Sequence, residues 1–301
     1  MINYSIIIAH KNSIKSLLRL CDSIPYSDSI QVIIIDDNSD IEVVKQIQDV
    51  KLNNNIEIVF CEISNGAGAA RNIGIQLAKG KWILFADADD FFTTNLENLL
   101  RKNLDSDADI IYFNTDSRDK SGKQTYRHLR YSKLVYDFLN DNEKENALRY
   151  YFTPPWAKMI RRDLIVNNKI EFDEIAASND VMFSLKTAFL AKKIKACKDT
   201  LYVITLSKGS VTNIISKVYF NSKFMTALNA NKFLCSIGMR RYQQSILYFL
   251  GKSYKFGLCY MFYVILMLIK NRSNIFIGMR KFINLDKTLR ERENIDYITK
   301  R

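Results

Sequence analysis

The first hundred residues contain four short apolar runs separated by segments of mixed polarity. The runs are residues 5–9 (SIIIA), 30–35 (IQVIII), 56–60 (IEIVF) and 82–86 (WILFA). They are rich in β-branched and aromatic residues, which is typical of strands buried on both faces. Between them apolar residues recur at helical spacing, as at Ile14, Leu17, Leu18 and Cys21. Strands and helices that alternate at intervals of about 25 residues predict βαβ units and a mostly parallel sheet.

The rest of the chain shows a weaker pattern. Residues 109–113 (DIIYF) predict another strand, and the polar residues 116–128 predict an exposed hairpin or loop. The segments 153–165 and 177–194 each predict a loop that enters a helix, and the chain after residue 215 is helical and basic in pattern. We therefore expect an α/β domain over residues 1–215 and a helical C-terminal region over residues 216–301.

Each of the four strands is followed by polar or glycine-rich residues. These are HKN (10–12), DDNSD (36–40), SNGAGAARN (64–72) and DADD (87–90). Ligands of open α/β sheets bind beyond the carboxyl ends of the strands, where such segments meet. Carboxylates suit Mg²⁺ or Mn²⁺, with water and substrate phosphates completing the coordination. The alternative is that Asp87 and Asp90 cap the following helix.

The glycine-rich segment does not match a standard nucleotide-binding motif. A dinucleotide fingerprint would need glycine where Arg71 stands, and the sequence contains no phosphate-binding P-loop motif. Ala70 and Gly74 predict close packing of a helix on the sheet. A guanidinium at position 71, at the start of a helix that faces the binding edge, suits a phosphate or a nucleobase.

Taken in order, these segments resemble the sequence blocks of the bacterial family 2 glycosyltransferases over about residues 1–215. The matching blocks are SIIIAHKN, VIIIDDNSD, NGAGAARNIGIQLAKGKWILFADADD, PPWAKMIRRDLI, NDVMF and GSVTN. The resemblance implies a GT-A (Rossmann-like) fold, with a mostly parallel central sheet flanked by helices. It also implies transfer of a sugar from a nucleotide diphosphate with inversion at the anomeric carbon.

The resemblance assigns nucleotide and metal roles to residues of the first four blocks. Asp37 would hydrogen-bond the uracil of a UDP-sugar, with Arg71 close to the base. Ala9 would contact the nucleotide as the first residue of AHKN, where the family usually has P-x-Y-N. Asp87 and Asp89 match the family's D-x-D, which implies that Asp87 lies near the ribose and that both carboxylates serve a Mn²⁺ or Mg²⁺ ion on the diphosphate.

The later blocks concern the acceptor. Asp180 matches the expected general base, although Asn179 stands where the family usually has Glu. A base that deprotonates the acceptor hydroxyl is what an inverting transfer needs. The alternative role for Asp180 is to cap a helix. Trp156 and Lys158 belong to the block that lines the acceptor side in this family, although a tryptophan is more commonly buried in a core.

Charge and apolar patterning single out the C-terminal region. The chain has a net charge of +12, and residues 240–301 contain 13 Lys or Arg and 4 Asp or Glu. The fourteen apolar residues 256–269 would form a helix of about 21 Å, too short for a hydrocarbon core of about 30 Å. This helix is expected either to be buried or to lie at an anionic membrane surface. Such contact would suit a lipid-linked acceptor.

The remaining sequence features define the expected compartment and the competing functions. The N-terminus lacks the pattern of a secretory signal, and the five cysteines include no CxxC pair, so we expect a protein of the reducing cytoplasm. We expect a metal-dependent hexosyltransferase that uses a UDP-sugar and a lipid-linked or oligosaccharide acceptor in surface polysaccharide synthesis, without binding nucleic acid. The alternatives are a nucleotidyltransferase, a basic nucleic-acid-binding or membrane-binding module, and a transferase scaffold that has lost activity.

Overall fold

A computed structural model describes residues 1–49, 56–206, 216–271 and 277. Contacts divide the chain into two compact units. The first unit comprises residues 1–175 and 183–207, and the second comprises residues 176–182 and 208–301. The GSVTN block (209–213) lies outside the described residues. So do Arg272, Arg280 and Lys281, three of the basic residues expected to contact anionic lipid.

The first unit is built on one eight-stranded sheet with the order β3-β2-β1-β4-β7-β6-β8-β5. The strands are β1 (Tyr4–His10), β2 (Ile30–Asp36), β3 (Ile56–Phe60), β4 (Trp82–Asp87), β5 (Phe91–Phe92), β6 (Ile110–Asp119), β7 (Lys158–Arg161) and β8 (Ile194–Leu206). The described helices that flank it are α1 (Ile14–Asp22), α2 (Ile41–Asp49), α3 (Gly66–Leu77), α4 (Leu96–Asn103), α5 (Leu129–Asn140), α6 (Glu145–Tyr151), α7 (Arg162–Asn167) and α8 (Asp180–Leu190), with a 3-10 turn at Asn142–Lys144.

The four strands predicted from the apolar runs form the parallel half of the sheet. β1 pairs in parallel with β2 and with β4, and β2 pairs in parallel with β3. Ile6, Ile7 and Ile8 of β1 are completely buried, as expected for a strand covered on both faces. The predicted α/β class and the mostly parallel arrangement of this region are confirmed.

Helix α3 packs unusually close to β1. A Cβ atom added to Gly74 would lie 2.3 Å from Cγ2 of Ile7. Ala70, one turn earlier, is also buried. The predicted close packing is therefore confirmed, and it fixes the height of α3, and with it Arg71, above the strand ends.

The other half of the sheet mixes strand directions. β7 is antiparallel to β4 and to β6, β6 and β8 are parallel, and β5 is antiparallel to β8. The strand predicted at residues 109–113 is the first part of β6. β5, β7 and β8 were not predicted, because β5 and β7 are only two and four residues long and charged residues interrupt the apolar pattern of β8.

The second unit is helical over its described C-terminal part. It contains α9 (Lys217–Ser236), α10 (Leu247–Ser253) and α11 (Leu258–Lys270), with 3-10 turns at Arg240–Tyr242 and Tyr254–Phe256. Phe224, Leu228, Ile246, Val264 and Leu268 form its core. Among the residues described, no helix is both long and apolar enough to span a bilayer.

Candidate active site

The register of the parallel strands brings three of the predicted segments together. Ala9 lies opposite Asp87 on β4, and His10 lies opposite Asp36 on β2. The backbone N–H of Asp37 then donates to the carbonyl of His10 at 2.9 Å. The HKN, DDNSD and DADD segments therefore meet at the carboxyl edge of the sheet, as the sequence predicts.

His10 and Asp36 form a buried pair beneath this edge. His10 Nδ1 lies 2.7 Å from Asp36 Oδ2, and both side chains are at most 1% exposed. His10 Nε2 accepts a hydrogen bond from the backbone N–H of Ser13, so Nδ1 carries the proton that is donated to Asp36. The Ser39 backbone N–H and hydroxyl also donate to Asp36. Asp36 thus ties the loop after β1 to the loop after β2.

Asp37 holds the start of α3. Its carboxylate accepts from the backbone N–H groups of Asn65 and Gly66 at 2.9 and 3.1 Å, and from the Ser64 hydroxyl at 2.7 Å. Lys11 donates to the Ser64 hydroxyl oxygen at 2.6 Å and lies 3.9 Å from Asp37. Asp37 therefore places a negative charge at the N-terminus of α3, where a helix stabilises negative charge. Its contact with uracil stays a prediction.

Arg71 is paired with Asp87 at the end of β4. Its Nη2 donates to Asp87 Oδ1 at 2.5 Å. The Arg71 side chain is 7% exposed and that of Asp87 is 34% exposed, so a buried guanidinium is paired with a partly exposed carboxylate. The guanidinium also lies 5.3 Å from the centre of the Phe172 ring. The structure thus brings together two residues that the resemblance assigned to the nucleotide.

The carboxylates at the end of β4 occupy different environments. Asp90 is buried and accepts from the Thr205 backbone N–H at 2.7 Å. The Tyr202 hydroxyl accepts from the Asp87 N–H at 2.8 Å and hydrogen-bonds to Asp90. Burial raises the pKa of Asp90 well above its ordinary value, and the charges of Asp87 and Asp89 raise it further.

The alternative that Asp87 and Asp90 cap the next helix is wrong. α4 begins at Leu96, and its N-cap residue is Asn95. The backbone N–H of Asp90 donates to the Asp87 carbonyl at 3.0 Å, closing a tight turn after β4. Asp87 and Asp90 therefore belong to this turn and not to the N-terminus of α4.

Asp89 is the exposed member of the group. Although its side chain is exposed, the surrounding protein removes part of its hydration and raises its pKa. The charge of Asp87 adds to this effect, whereas the positive charges of Arg127 and Arg19 oppose it. Arg19 fixes the backbone here, because its Nη2 donates to the Asp89 carbonyl at 2.6 Å and to the Thr205 hydroxyl at 2.8 Å.

Arg19 and Tyr202 are site residues that sequence reasoning missed. Arg19 lies in the last turn of α1, and Tyr202 lies in β8, far from the DADD segment along the chain. No local motif marks either residue. The apolar environment of Tyr202 raises the pKa of its hydroxyl well above the ordinary value, so it acts as a neutral hydrogen-bonding group.

The carboxylates after β4 fit a divalent cation. Asp87 and Asp89 are accessible carboxylates whose shared negative charge favours a bound cation. Within residues 1–49, 56–206, 216–271 and 277, no group of three His, Cys, Asp or Glu side chains is arranged to hold a metal by itself. One or two carboxylates, with water and phosphate oxygens, is the usual ligand set for Mg²⁺.

Trp156 and Lys158 lie in the core of the first unit. Trp156 is 3% exposed and stacks on Tyr202, with ring centres 5.6 Å apart. Lys158 is also 3% exposed and donates from Nζ to the Phe152 carbonyl at 2.7 Å. Trp156 thus supports the tyrosine that hydrogen-bonds to Asp87 and Asp90. Acceptor-side roles for Trp156 and Lys158 stay predictions.

Asp180 is the first residue of α8, and its side chain is partly exposed. It belongs to the segment 176–182 of the second unit. Ser178, two residues earlier, has a positive φ of 61°, a backbone conformation that is uncommon for a residue other than glycine. The role of Asp180 as a catalytic base stays a prediction.

Comparison with known proteins identifies the family. Residues 5–166 match the sequence model of Glycosyl transferase family 2, and this match covers more than half of the chain. The chain therefore belongs to glycosyl transferase family 2, and its fold is the GT-A fold of these enzymes.

Two curated relatives match about two thirds of this chain but different shares of their own length. EpsH of Bacillus subtilis (strain 168) is 26% identical over 204 residues, which are 65% of this chain and 58% of EpsH. The poly(ribitol-phosphate) beta-N-acetylglucosaminyltransferase TarS of Staphylococcus aureus (strain MW2) is 24% identical over 211 residues, 67% of this chain and 35% of TarS. The chain thus spans less than two thirds of the length of either relative.

A crystal structure of S. aureus TarS residues 1–349 in complex with UDP-GlcNAc shares the fold. It superposes with a TM-score of 0.61 over 85% of this chain and 76% of that chain, at 18% identity. At this level of identity the likeness concerns the fold alone.

Proposed function

We propose that this chain transfers a single hexose, with inversion, from a UDP-sugar to a saccharide acceptor in the synthesis of a surface polysaccharide. The observation that carries the proposal is the Arg71–Asp87 ion pair beside the exposed Asp89, at the carboxyl edge of the parallel strands. Family membership supports sugar transfer. The UDP-GlcNAc bound by TarS, a protein of the same fold, supports a UDP-sugar as donor.

The donor nucleotide would bind between the end of β1 and the start of α3. Ala9 would contact it on the β1 side, where a small side chain leaves room for a ring. Arg71 would lie close to the base while its ion pair holds Asp87 toward the ribose. Rotation of the Ser64 hydroxyl away from Asp37 would free a carboxylate oxygen for the N3–H group of uracil.

A Mn²⁺ or Mg²⁺ ion would be held by Asp89 and Asp87, together with diphosphate oxygens and water. When bound, it would supply Lewis-acid stabilisation of the negative charge that develops on the departing UDP. Two hydrogen bonds would hold the metal ligands in place: Arg19 donates to the Asp89 carbonyl, and the Asp87 N–H donates to the Tyr202 hydroxyl.

Asp180 would serve as the general base. In an inverting transfer the acceptor hydroxyl attacks the anomeric carbon from the face opposite the leaving group, and its proton passes to the Asp180 carboxylate as the bond forms. Asn179 stands where the family usually has Glu, so position 179 would offer this base a neutral amide in place of a carboxylate.

The acceptor would be a lipid-linked or free oligosaccharide, and the enzyme would work at the cytoplasmic face of the membrane. The excess of positive charge supports contact with anionic lipid. Roles for Trp156 and Lys158 on the acceptor side would be indirect, through the residues that they support.

Release of UDP from a panel of UDP-sugars, in Mn²⁺ or in EDTA, tests the proposed function. We expect turnover of one donor in Mn²⁺, its loss in EDTA, and a decrease of at least a hundredfold in Asp89→Ala and in Asp180→Asn. Asp163→Asn is the matched control, because Asp163 is an exposed carboxylate in α7. α7 follows Arg161, which pairs with Trp82 at the start of β4, whereas the proposed site lies at the end of β4. Turnover that is unchanged in EDTA and in Asp89→Ala would contradict the proposal.

A further inference from the structure

A long stretch in the C-terminal half of the chain carries positive charge alone. Residues 200–285 contain 12 Lys or Arg and no Asp or Glu. Over the same stretch many residues are apolar, including the run 256–269. A surface with one sign of charge repels a second copy of itself and attracts a polyanion.

Helix α11 presents two apolar faces. One face is buried, with Tyr260, Val264 and Leu268 packed in the core of the second unit. The opposite face is exposed: Leu258 is 67%, Phe262 60%, Leu266 65% and Ile269 68% accessible. At 100° per residue these four side chains fall within about 80° of the helix circumference, so they form one continuous stripe. Of the two sequence-based alternatives, burial thus applies to one face of this helix, and contact with a membrane surface stays a prediction for the other face.

Polar and amphipathic side chains surround this stripe. Lys255 precedes the helix and Lys270 ends it, and both are exposed. Tyr263, on the same helix, is 38% exposed, and Tyr254, in the 3-10 turn before the helix, is 59% exposed. Beside it, between α9 and α11, an open groove is lined by Lys217, Asn221 and Tyr263. An apolar stripe with exposed tyrosines nearby and lysines at its ends is the arrangement that binds the interface of an anionic bilayer.

We propose that the exposed face of α11 binds in the plane of an anionic lipid bilayer. Phe262 and Leu266 enter the boundary between headgroups and acyl chains, and Lys255 and Lys270 contact the anionic headgroups. A helix of 13 residues is too short to cross the bilayer but long enough to lie on it. The absence of any acidic residue over 200–285 favours a lipid surface over a second copy of the chain, since two such surfaces would repel each other.

Flotation with lipid vesicles tests this proposal independently of sugar transfer. The purified chain is mixed with vesicles of phosphatidylcholine alone or with 30% phosphatidylglycerol. We expect binding to the anionic vesicles only. Phe262→Ser with Leu266→Ser should weaken it more than tenfold, because affinity scales with inserted apolar area. Replacing Lys255 and Lys270 by glutamine should weaken vesicle binding roughly fivefold for each lysine replaced. Salt at 1 M should weaken the binding of the wild type about as much as the double replacement does.

The matched control changes an exposed apolar pair elsewhere. Tyr136 and Leu139 are each 44% exposed on α5, where Asp137 and Asp141 are neighbours in sequence. Tyr136→Ser with Leu139→Ser should leave vesicle binding unchanged. Far-UV circular dichroism checks that all variants keep the helical content of the wild type.

Three results would overturn the proposal. The first is no binding of the wild type to anionic vesicles, and the second is equal binding to neutral vesicles. The third is a dimer in light scattering that the Phe262→Ser, Leu266→Ser variant converts to a monomer, which would assign the stripe to self-association.

Discussion

Replacing Arg71 by methionine removes a buried cation from a group of three carboxylates while keeping most of the apolar volume. In the wild type, Arg71 Nη2 lies 2.5 Å from Asp87 Oδ1, and Asp89 and Asp90 follow within three positions. Arg71→Met should therefore destabilise the first unit and change its response to divalent cations.

The magnitude follows from the burial of the two partners. A hydrogen bond to a charged group contributes about 1.5–3 kcal/mol. Because the Asp87 side chain is 34% exposed, water compensates part of the loss, and the lower half of that range applies. The contact of Arg71 with the Phe172 ring at 5.3 Å adds about 0.5–1 kcal/mol. We expect a total loss of about 2–3 kcal/mol in the free energy of unfolding.

Tryptophan fluorescence in a urea titration measures this loss selectively. Both tryptophans of the chain, Trp82 and Trp156, are buried in the first unit. A cation held by Asp87 and Asp89 would replace part of the missing charge, so Mn²⁺ should stabilise Arg71→Met more than the wild type. Asp87→Asn should destabilise Arg71→Met much less than it destabilises the wild type.

The control for this experiment is Arg161→Met. The Arg161 guanidinium lies 4.4 Å from the Trp82 ring and donates to the carbonyls of Ser106 and Ala108, and no carboxylate pairs with it among the contacts of the described chain. Its loss should destabilise the first unit without any rescue by Mn²⁺. A loss below about 0.5 kcal/mol in Arg71→Met, or equal stabilisation of both variants by Mn²⁺, would show that Arg71 does not balance the charge of these carboxylates.

Three further predictions concern the site and its support. Asp36→Asn should cost about 3 kcal/mol of unfolding free energy in the same fluorescence assay, because it leaves the buried His10 Nδ1–H without a carboxylate acceptor; a stable variant would contradict this. Arg19→Met should weaken Mn²⁺-dependent UDP binding by about tenfold in calorimetry, because Arg19 holds the backbone of the proposed metal ligand Asp89. The enthalpy of unfolding should change little. Burial raises the pKa of Cys21 to about 11, so its thiolate fraction grows as pH rises toward that value; alkylation followed by mass spectrometry should label it slowly at pH 8 and faster at pH 10, and rapid labelling at pH 8 would show that the core is open.

The fold of the parallel half could be predicted because its strands are buried on both faces. Runs such as Ile6–Ile8 and Ile33–Ile35 are completely buried, so their apolar pattern is continuous and easy to recognise. β8 differs, because only its second half, near Tyr202, is buried continuously and Lys195, Lys198 and Asp199 interrupt the first half. The sheet partners of such a strand depend on contacts that are distant in sequence.

The site was predictable as a set of strand ends but not as a set of contacts. The positions of Asp87 and Asp89 follow from the end of an apolar run. The sequence could not show that Asp36 is used by His10 whereas Asp37 holds the start of α3, because adjacent aspartates look alike until strand register is known. Nor could it show that Trp156 is buried against Tyr202, since stacking on a sugar and stacking in a core need the same residue type.

The most direct test of the account is calorimetric binding of UDP to the wild type and to Asp89→Asn, each with Mn²⁺ and with EDTA. We expect UDP to bind the wild type in Mn²⁺ and to bind at least tenfold more weakly in EDTA. Asp89→Asn in Mn²⁺ should be weakened to the same extent, and EDTA should weaken this variant little further. UDP binding of equal strength in all four conditions would contradict a metal-assisted nucleotide site at the end of β4.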